Sequence, residues 1–365
     1  MGETMIRIVA TTYGPAVRWK GAERLALRSL PLSTRRRIVP LIEPVPKDFL
    51  PFAASGQISK FAKALAETCR WGSDCGLLLD PHLLGDDQAA VVMPSIAAAA
   101  TKYEIAYGIV TGVARSAIYQ TAVRETADNL GCDICLRINP FEFRQAGFEA
   151  VIESALSRLK RTAKHTHLII DFQAIAGNGI NFTPWINRIP LLDAWSSVTF
   201  LSGAFPKDLA HLAKNEQHML PRGDWESWYD LLNGQPTRLP AFGDYTIQHG
   251  IFEEREGKHF NFSASIRYTS LGGWVVMRGE GVLNEGGPGY SQWPANAQLL
   301  CERPEFCGPS YCWGDTFMKD MSAQLARTGS AKEWLAAGIN HHITMVVNDL
   351  IGVQLQLVRA APHTS

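Results

Sequence analysis

The chain has 365 residues, 46% of them hydrophobic and 19% charged, which is enough apolar material for a large core and excludes a mainly disordered chain. Lys plus Arg and Asp plus Glu number 35 each, so the formal net charge is zero and no bulk attraction to nucleic acid or an anionic membrane follows. No apolar run reaches the roughly 18–20 residues that cross a bilayer; with a start, MGETMIRIVATT, that lacks signal-peptide character and seven scattered cysteines that suit reduced thiols, a cytoplasmic protein is expected.

Eight short apolar runs follow one another along the first two thirds of the chain. They are IRIVATT (6–12), IVPLIEP (38–44), GLLLDP (76–81), EIAYGIVTG (104–112), DICLRIN (133–139), HLIIDF (167–172), SVTFLSG (197–203) and RLPAFGDY (238–245). Each is continuous rather than alternating, as in strands covered on both faces. Between them lie helical patterns, with Ile58, Phe61 and Leu65 on one face and Phe148, Ile152, Leu156 and Leu159 on another. Strand starts recur at intervals of roughly 30–40 residues, the rhythm of a (β/α)8 TIM-like barrel, here spanning 1–245.

Past Tyr245 the rhythm changes. NFSASIRYTS and GGWVVMRGEG flank a Gly-rich turn and predict a hairpin. A helix is expected around DTFMKDMSAQLART, and Ser330 with Glu333 has the spacing of a capping box that starts another. Residues 246–365 are therefore expected to form a C-terminal α+β extension packed on the barrel. WGD (313–315) reads as an aromatic anchor followed by an N-cap, and Gly338 as the point after which a helix begins. His341 and His342 are adjacent and cannot share a helix face, which argues against a metal site made from that pair alone.

The functional face of such a barrel is the C-terminal edge of its strands. There the sequence places Glu43, Asp80, Asp171 and Asp244, together with Arg137, and Lys20 and Glu23 just after the first run. One Asp at a strand end is ordinary turn or cap chemistry; a set of four carboxylates with cations among them points to a site. In an enzyme, Lys20, Arg137 and Arg267 would hold a small anionic ligand, phosphorylated or nucleotide-like. Glu43, Asp80, Asp171 and Asp244 would then supply acid–base groups, with Asp80, Asp171 and Asp244 as ligands of a divalent metal. Oxygen-only ligands favour Mg or Mn. In a noncatalytic sensor or interaction protein the same charges would be a salt-bridged plug, with Trp225, Trp228 and Tyr229 as anchors for a protein partner, against the plainer reading of core packing.

Other signals are weaker. CDIC (132–135) lies in a predicted strand, where its cysteines face opposite ways, and Cys301, Cys307 and Cys312 lack the paired spacing of a zinc ribbon, so interior thiols are the expectation. Arg35–Arg37 falls at the opposite end of the barrel without a nucleic-acid-binding motif, and no Walker A loop, GxSxG elbow or HExxH pair is present.

Several stretches together resemble the beta family proteins of bacteria, phages and mobile elements. They are YGPAVRWKGAERLAL, IVPLIEP, LPAFGDYTIQHG, SIRYTSLGGWVVMRGEG, CWGD and WLAAGINHHITMV, spread from residue 13 to about 347. The resemblance implies a setting in phage or mobile-element biology, including antiphage defence, and no particular reaction. It directs attention to Lys20, Glu23, Glu43, Asp244, Tyr245, Arg267, Tyr268, Asp315, Asn340 and His341.

Overall fold

A computed structural model describes residues 6–49, 55–69, 75–253, 261–323 and 327–360. Eight parallel strands close into a barrel: β1 (Gly14–Arg18), β2 (Leu41–Glu43), β3 (Gly76–Leu79), β4 (Ala106–Thr111), β5 (Asp133–Ile138), β6 (Thr166–Ala174), β7 (Ser197–Gly203) and, after an excursion, β9 (Ala241–Asp244), which pairs with both β7 and β1. The excursion carries β8 (Glu216–Leu220), which leaves the barrel and joins the hairpin β10 (Ile266–Ser270) and β11 (Gly273–Arg278) in a three-stranded antiparallel sheet. That sheet thus draws one strand from before residue 245.

The first strand differs from the expectation. Residues 6–9 are not a strand; they enter the floor of the barrel, where Ile6 and Ile8 join the interior cluster and the Ile6 N–H donates to Asp133 Oδ2 at 2.6 Å. A turn closed by Thr12 N–H on the Val9 carbonyl leads into β1. The floor plug is apolar for the same reason a strand is, whereas Gly14-Pro15 counts against a strand by local preference and is accepted because β1 pairs on both sides.

The helix Ala331–Ala360 lies against the helix Gly21–Arg28 and on the barrel wall. Its Ile339, Ile343, Val346, Val347 and Leu350 belong to the same core cluster as Tyr13, Trp228 and Phe242, so a segment from the chain's far end supplies the outer layer beside β9 and β1. Ser330 and Glu333 form the expected reciprocal cap. Gly338 does not begin this helix but sits inside it, where an added Cβ would stand 2.8 Å from the Arg267 carbonyl. Trp225 and Trp228 pack on Phe242, and Trp228 Nε1 donates to the Pro240 carbonyl at 2.9 Å, so these aromatics serve the core. No helix among the described residues is long and apolar enough to cross a membrane.

The helix Trp313–Ala323 meets the C-terminal helix backbone to backbone: a Cβ on Gly314 would lie 2.2 Å from the Ala337 carbonyl oxygen, while the Gly314 N–H donates to Asn340 Oδ1 at 3.0 Å. Asn340 also donates to the Ala26 carbonyl at 3.0 Å, tying three helices at one side chain. Gly314→Ala is therefore expected to destabilise the fold by about 1–3 kcal/mol, read as a lower denaturation midpoint in urea. An unchanged midpoint would mean the two helices do not approach this closely.

Candidate functional site

Side chains alternate across each barrel strand. Ala16, Leu41, Leu78, Val110, Cys135, Ile169 and Leu201 fill the interior. Two residues further along the respective strands the same parity brings Arg18, Glu43, Asp80, Arg137 and Asp171 to one layer at the mouth, joined by Tyr245 just past β9. The opposite parity faces the helices, as with Val17, Ile42, Leu79, Leu136, Ile170 and Phe242. Asp244 shares parity with Phe242 and faces outward.

Arg137 is the centre of the layer. Its Nη1 donates to Glu43 Oε1 at 2.9 Å and to Asp80, its Nε and Nη2 both reach Asp171 Oδ2, at 3.1 and 2.7 Å, and Nη2 also donates to Tyr245 Oη at 2.7 Å. The Tyr245 hydroxyl in turn faces Asp171 Oδ1 at 2.8 Å. Glu43 Oε2 lies 3.5 Å from Arg18 Nε, so Glu43 bridges two guanidiniums. Burial alone would push the Asp80 carboxyl up; Arg137 and His82 beside it outweigh that and hold it below the usual carboxylate range. Burial likewise raises the Tyr245 hydroxyl, keeping it a neutral donor.

His82, which sequence reasoning missed, places Nδ1 3.4 Å from Glu43 Oε1 and 3.0 Å from Arg137 Nη1. Glu43, Asp80 and His82 each offer an atom within 4.8 Å of the others, a geometry that suits a cation, and Arg137 Nη1 stands among them. The expected metal set of Asp80, Asp171 and Asp244 does not assemble, because Asp244 faces the other side of the wall. There it accepts from Tyr13 and from the Thr246 N–H at 2.8 Å, and meets His342 Nε2 at 2.9 Å. Burial holds the His342 ring below the ordinary imidazole range despite Asp244. Burial, then the neighbouring Asp244, pushes the Asp224 carboxyl up to about 7.

Beside this layer opens a cleft of about 500 Å³ between the barrel mouth and the extension. Arg18, Lys20, Lys47, Lys207 and Arg267 line it, against the carboxylate of Glu253 among the described residues, with Phe252, Trp293 and Trp334 as aromatic walls. Lys20 Nζ sits 4.5 Å over the Phe252 ring; Arg267 lies over Phe205 and donates to the Ile247 carbonyl at 2.8 Å. Between the cleft and the mouth runs the segment after Tyr245. It is pinned by Arg18 Nη2 on the Gly250 carbonyl at 2.7 Å and by the close approach of Gly250 to Gln173, where a Cβ would be 2.5 Å from backbone carbon. Glu23 is buried beneath it, accepting from Gln248 Nε2 at 2.8 Å, and burial raises its carboxyl despite that bond.

Asn340 and His341 do not reach the mouth. Asn340 ties helices together, and His341 is fully buried against Tyr268, with its ring nitrogens facing Asp315 and the Thr269 carbonyl. Asp315 is not a helix cap either: it lies in the first turn of its helix and accepts from Tyr268 Oη at 2.8 Å.

The profile of the Beta protein family matches residues 13–348. No curated protein matches the chain. Among solved structures it is similar to the catalytic module of a family 98 glycoside hydrolase from Streptococcus pneumoniae TIGR4 in complex with the LewisY pentasaccharide blood group antigen (TM-score 0.40, 10% identity, 67% of this chain and 50% of that one). It is also similar to the YdjI aldolase from Escherichia coli K12 (0.32, 8%, 64% and 74%) and a D-allulose 3-epimerase from Methylomonas sp. (0.33, 10%, 66% and 86%). The chain spans half the length of the glycoside hydrolase module.

The mouth network has a pH signature. Because the Asp80 carboxyl is held low in the folded state, its stabilisation is fully present above the ordinary carboxylate value of about 3.9 and is lost as pH falls through the folded value beneath it. Arg137→Met should cost about 3–5 kcal/mol at neutral pH by leaving buried carboxylates uncompensated. On acidification toward about pH 5 the raised Asp224 carboxyl should add stability to both proteins, and the variant should gain more than the wild type by recovering part of that loss. Urea denaturation of both proteins across this range checks the sign; parallel profiles would refute the assignment of Arg137 as the shared counter-ion.

Proposed function

The chain belongs to the Beta protein family, and from that premise we propose that it binds a small anionic ligand, phosphorylated or nucleotide-like, in the cleft between barrel mouth and extension. One observation carries the reading: five cationic side chains, Arg18, Lys20, Lys47, Lys207 and Arg267, line one cavity of about 500 Å³ that has a single carboxylate, Glu253, paired with Lys207 at 2.6 Å, among its described lining residues. That size suits a nucleotide-sized molecule, and the charges would take phosphate oxygens.

In this reading the mouth layer is a rigid floor. Arg137, held by Glu43, Asp80, Asp171 and Tyr245, fixes where Arg18 can stand, and Arg18 borders the cleft. Metal-assisted hydrolysis is the second reading, favoured by the mutual approach of Glu43, Asp80 and His82. It requires Arg137 to withdraw so that Mg or Mn takes its place between the two carboxylates. A setting in phage and mobile-element biology, including antiphage defence, and a cytoplasmic location are inferred from the family resemblance and the character of the sequence.

Calorimetric titration with pyrophosphate and nucleoside triphosphates tests the binding. Lys20→Ala and Arg267→Ala should each weaken it by about tenfold, as expected for loss of one hydrogen bond to a charged group, and added salt should weaken it further. Absence of anion binding by the wild type would overturn the proposal. Mn binding that survives in Lys20→Ala but is lost in Asp80→Asn would favour the hydrolytic reading.

A further inference from the structure

A second cluster lies away from the mouth, where the three-stranded sheet meets the helices Trp313–Ala323 and Ala331–Ala360. His341 Nδ1 stands 2.7 Å from Asp315 Oδ2, and Cys312 Sγ stands 2.8 Å from the same oxygen. The three donor atoms lie within 4.8 Å of one another.

We propose that Cys312, Asp315 and His341 bind a zinc ion. The surroundings are those of a ligand set already oriented. His341 Nε2 faces the Thr269 carbonyl at 2.8 Å, an acceptor only, so Nε2 carries a proton and Nδ1 is the ring nitrogen turned to the carboxylate. A metal-bound histidine is held this way, with its remote N–H on a carbonyl. Asp315 is fixed in turn through its other oxygen, which accepts from Tyr268 Oη at 2.8 Å, and the Tyr268 ring stacks on His341 at 3.8 Å between centroids.

A lone pair, a thiol sulfur and a carboxylate oxygen at one point repel unless protons or a cation lie among them. Two protons, one on each close contact, would hold the cluster, and one divalent ion replaces both. Tetrahedral zinc places its S, N and O ligands at about 2.3, 2.0 and 2.0 Å, so the atoms need to part by only roughly 0.5–1 Å to admit it. Mixed thiolate, imidazole and carboxylate donors favour zinc over magnesium or calcium. Cys312 and Asp315 sit at the N-terminus of an eleven-residue helix; burial and the neighbouring Asp315 push the Cys312 thiol up, and a bound cation would offset both. Cys312 is the least buried residue of the set, and a fourth ligand would have to reach the ion from its side.

Metal analysis and cobalt substitution of the full-length protein decide the question. The wild type should carry about one zinc per chain, and its cobalt form should show visible d–d bands with a near-ultraviolet thiolate-to-cobalt band. Cys312→Ser should lose that band and the zinc, and Cys307→Ser should keep both. The wild-type spectrum stands whether or not a variant folds. A wild type that takes up neither metal, a cobalt form without the thiolate band, or a band that persists in a folded Cys312→Ser protein would each overturn the proposal.

Discussion

The barrel mouth depends on the need to neutralise charge that the closed barrel has removed from water. Glu43, Asp80 and Asp171 are buried, and one guanidinium, Arg137, touches all three. Desolvating that many ions is costly, and Coulomb attraction offsets the cost only where hydrogen bonds are well made. Arg137 meets the condition by spreading its donors over four partners, whereas Arg18 faces the remaining oxygen of Glu43 at 3.5 Å as an ion pair without a hydrogen bond. The resulting chain of alternating charge crosses β1, β2, β3, β5 and β6 and ends on the hydroxyl of Tyr245. No pair of these strands alone assembles it; barrel closure does.

From this layer the cleft takes its form. Arg18 belongs to both, with Glu43 on one side and the Gly250 carbonyl on the other. The segment after Tyr245 is pressed onto Gln173 and held over Glu23, so it reaches the extension at a defined height above the mouth. The cleft walls therefore come from two parts of the fold, barrel and hairpin sheet, and their separation is set by contacts that are themselves buried.

Much of this was legible in the sequence, and the failures have physical causes. Seven of the eight barrel strands appear as continuous apolar runs because covered strands need no polar face. The first was misplaced because a floor plug obeys the same apolar rule. Strand-end carboxylates were found by position, but position alone does not tell inward from outward. Asp244 and Tyr245 are neighbours in sequence and lie on opposite sides of the wall, and counting forward by twos along each strand from its interior residue selects Tyr245 over Asp244 and reaches Arg18 one step beyond Ala16. Asn340 and His341 stand out as polar residues near the end of the chain, yet long-range packing sends them into helix junctions. No local pattern announces β8, whose partners lie some fifty residues downstream, nor the meeting of Cys312 with His341 across two helices.

The placement of the C-terminal helix bears on how the protein is made. It covers β1 and lies along Gly21–Arg28, elements synthesised more than three hundred residues earlier. Tyr13, Ala26 and Phe242 share a core cluster with this helix, so the flank they form is completed only once residues 331–360 have been made, while β8 waits for the hairpin at 266–278. The eight strands that close the barrel are all made before residue 245, but one flank of its outer layer is not. Until that flank is complete the nascent chain exposes apolar surface of the kind that makes partly folded proteins prone to aggregate.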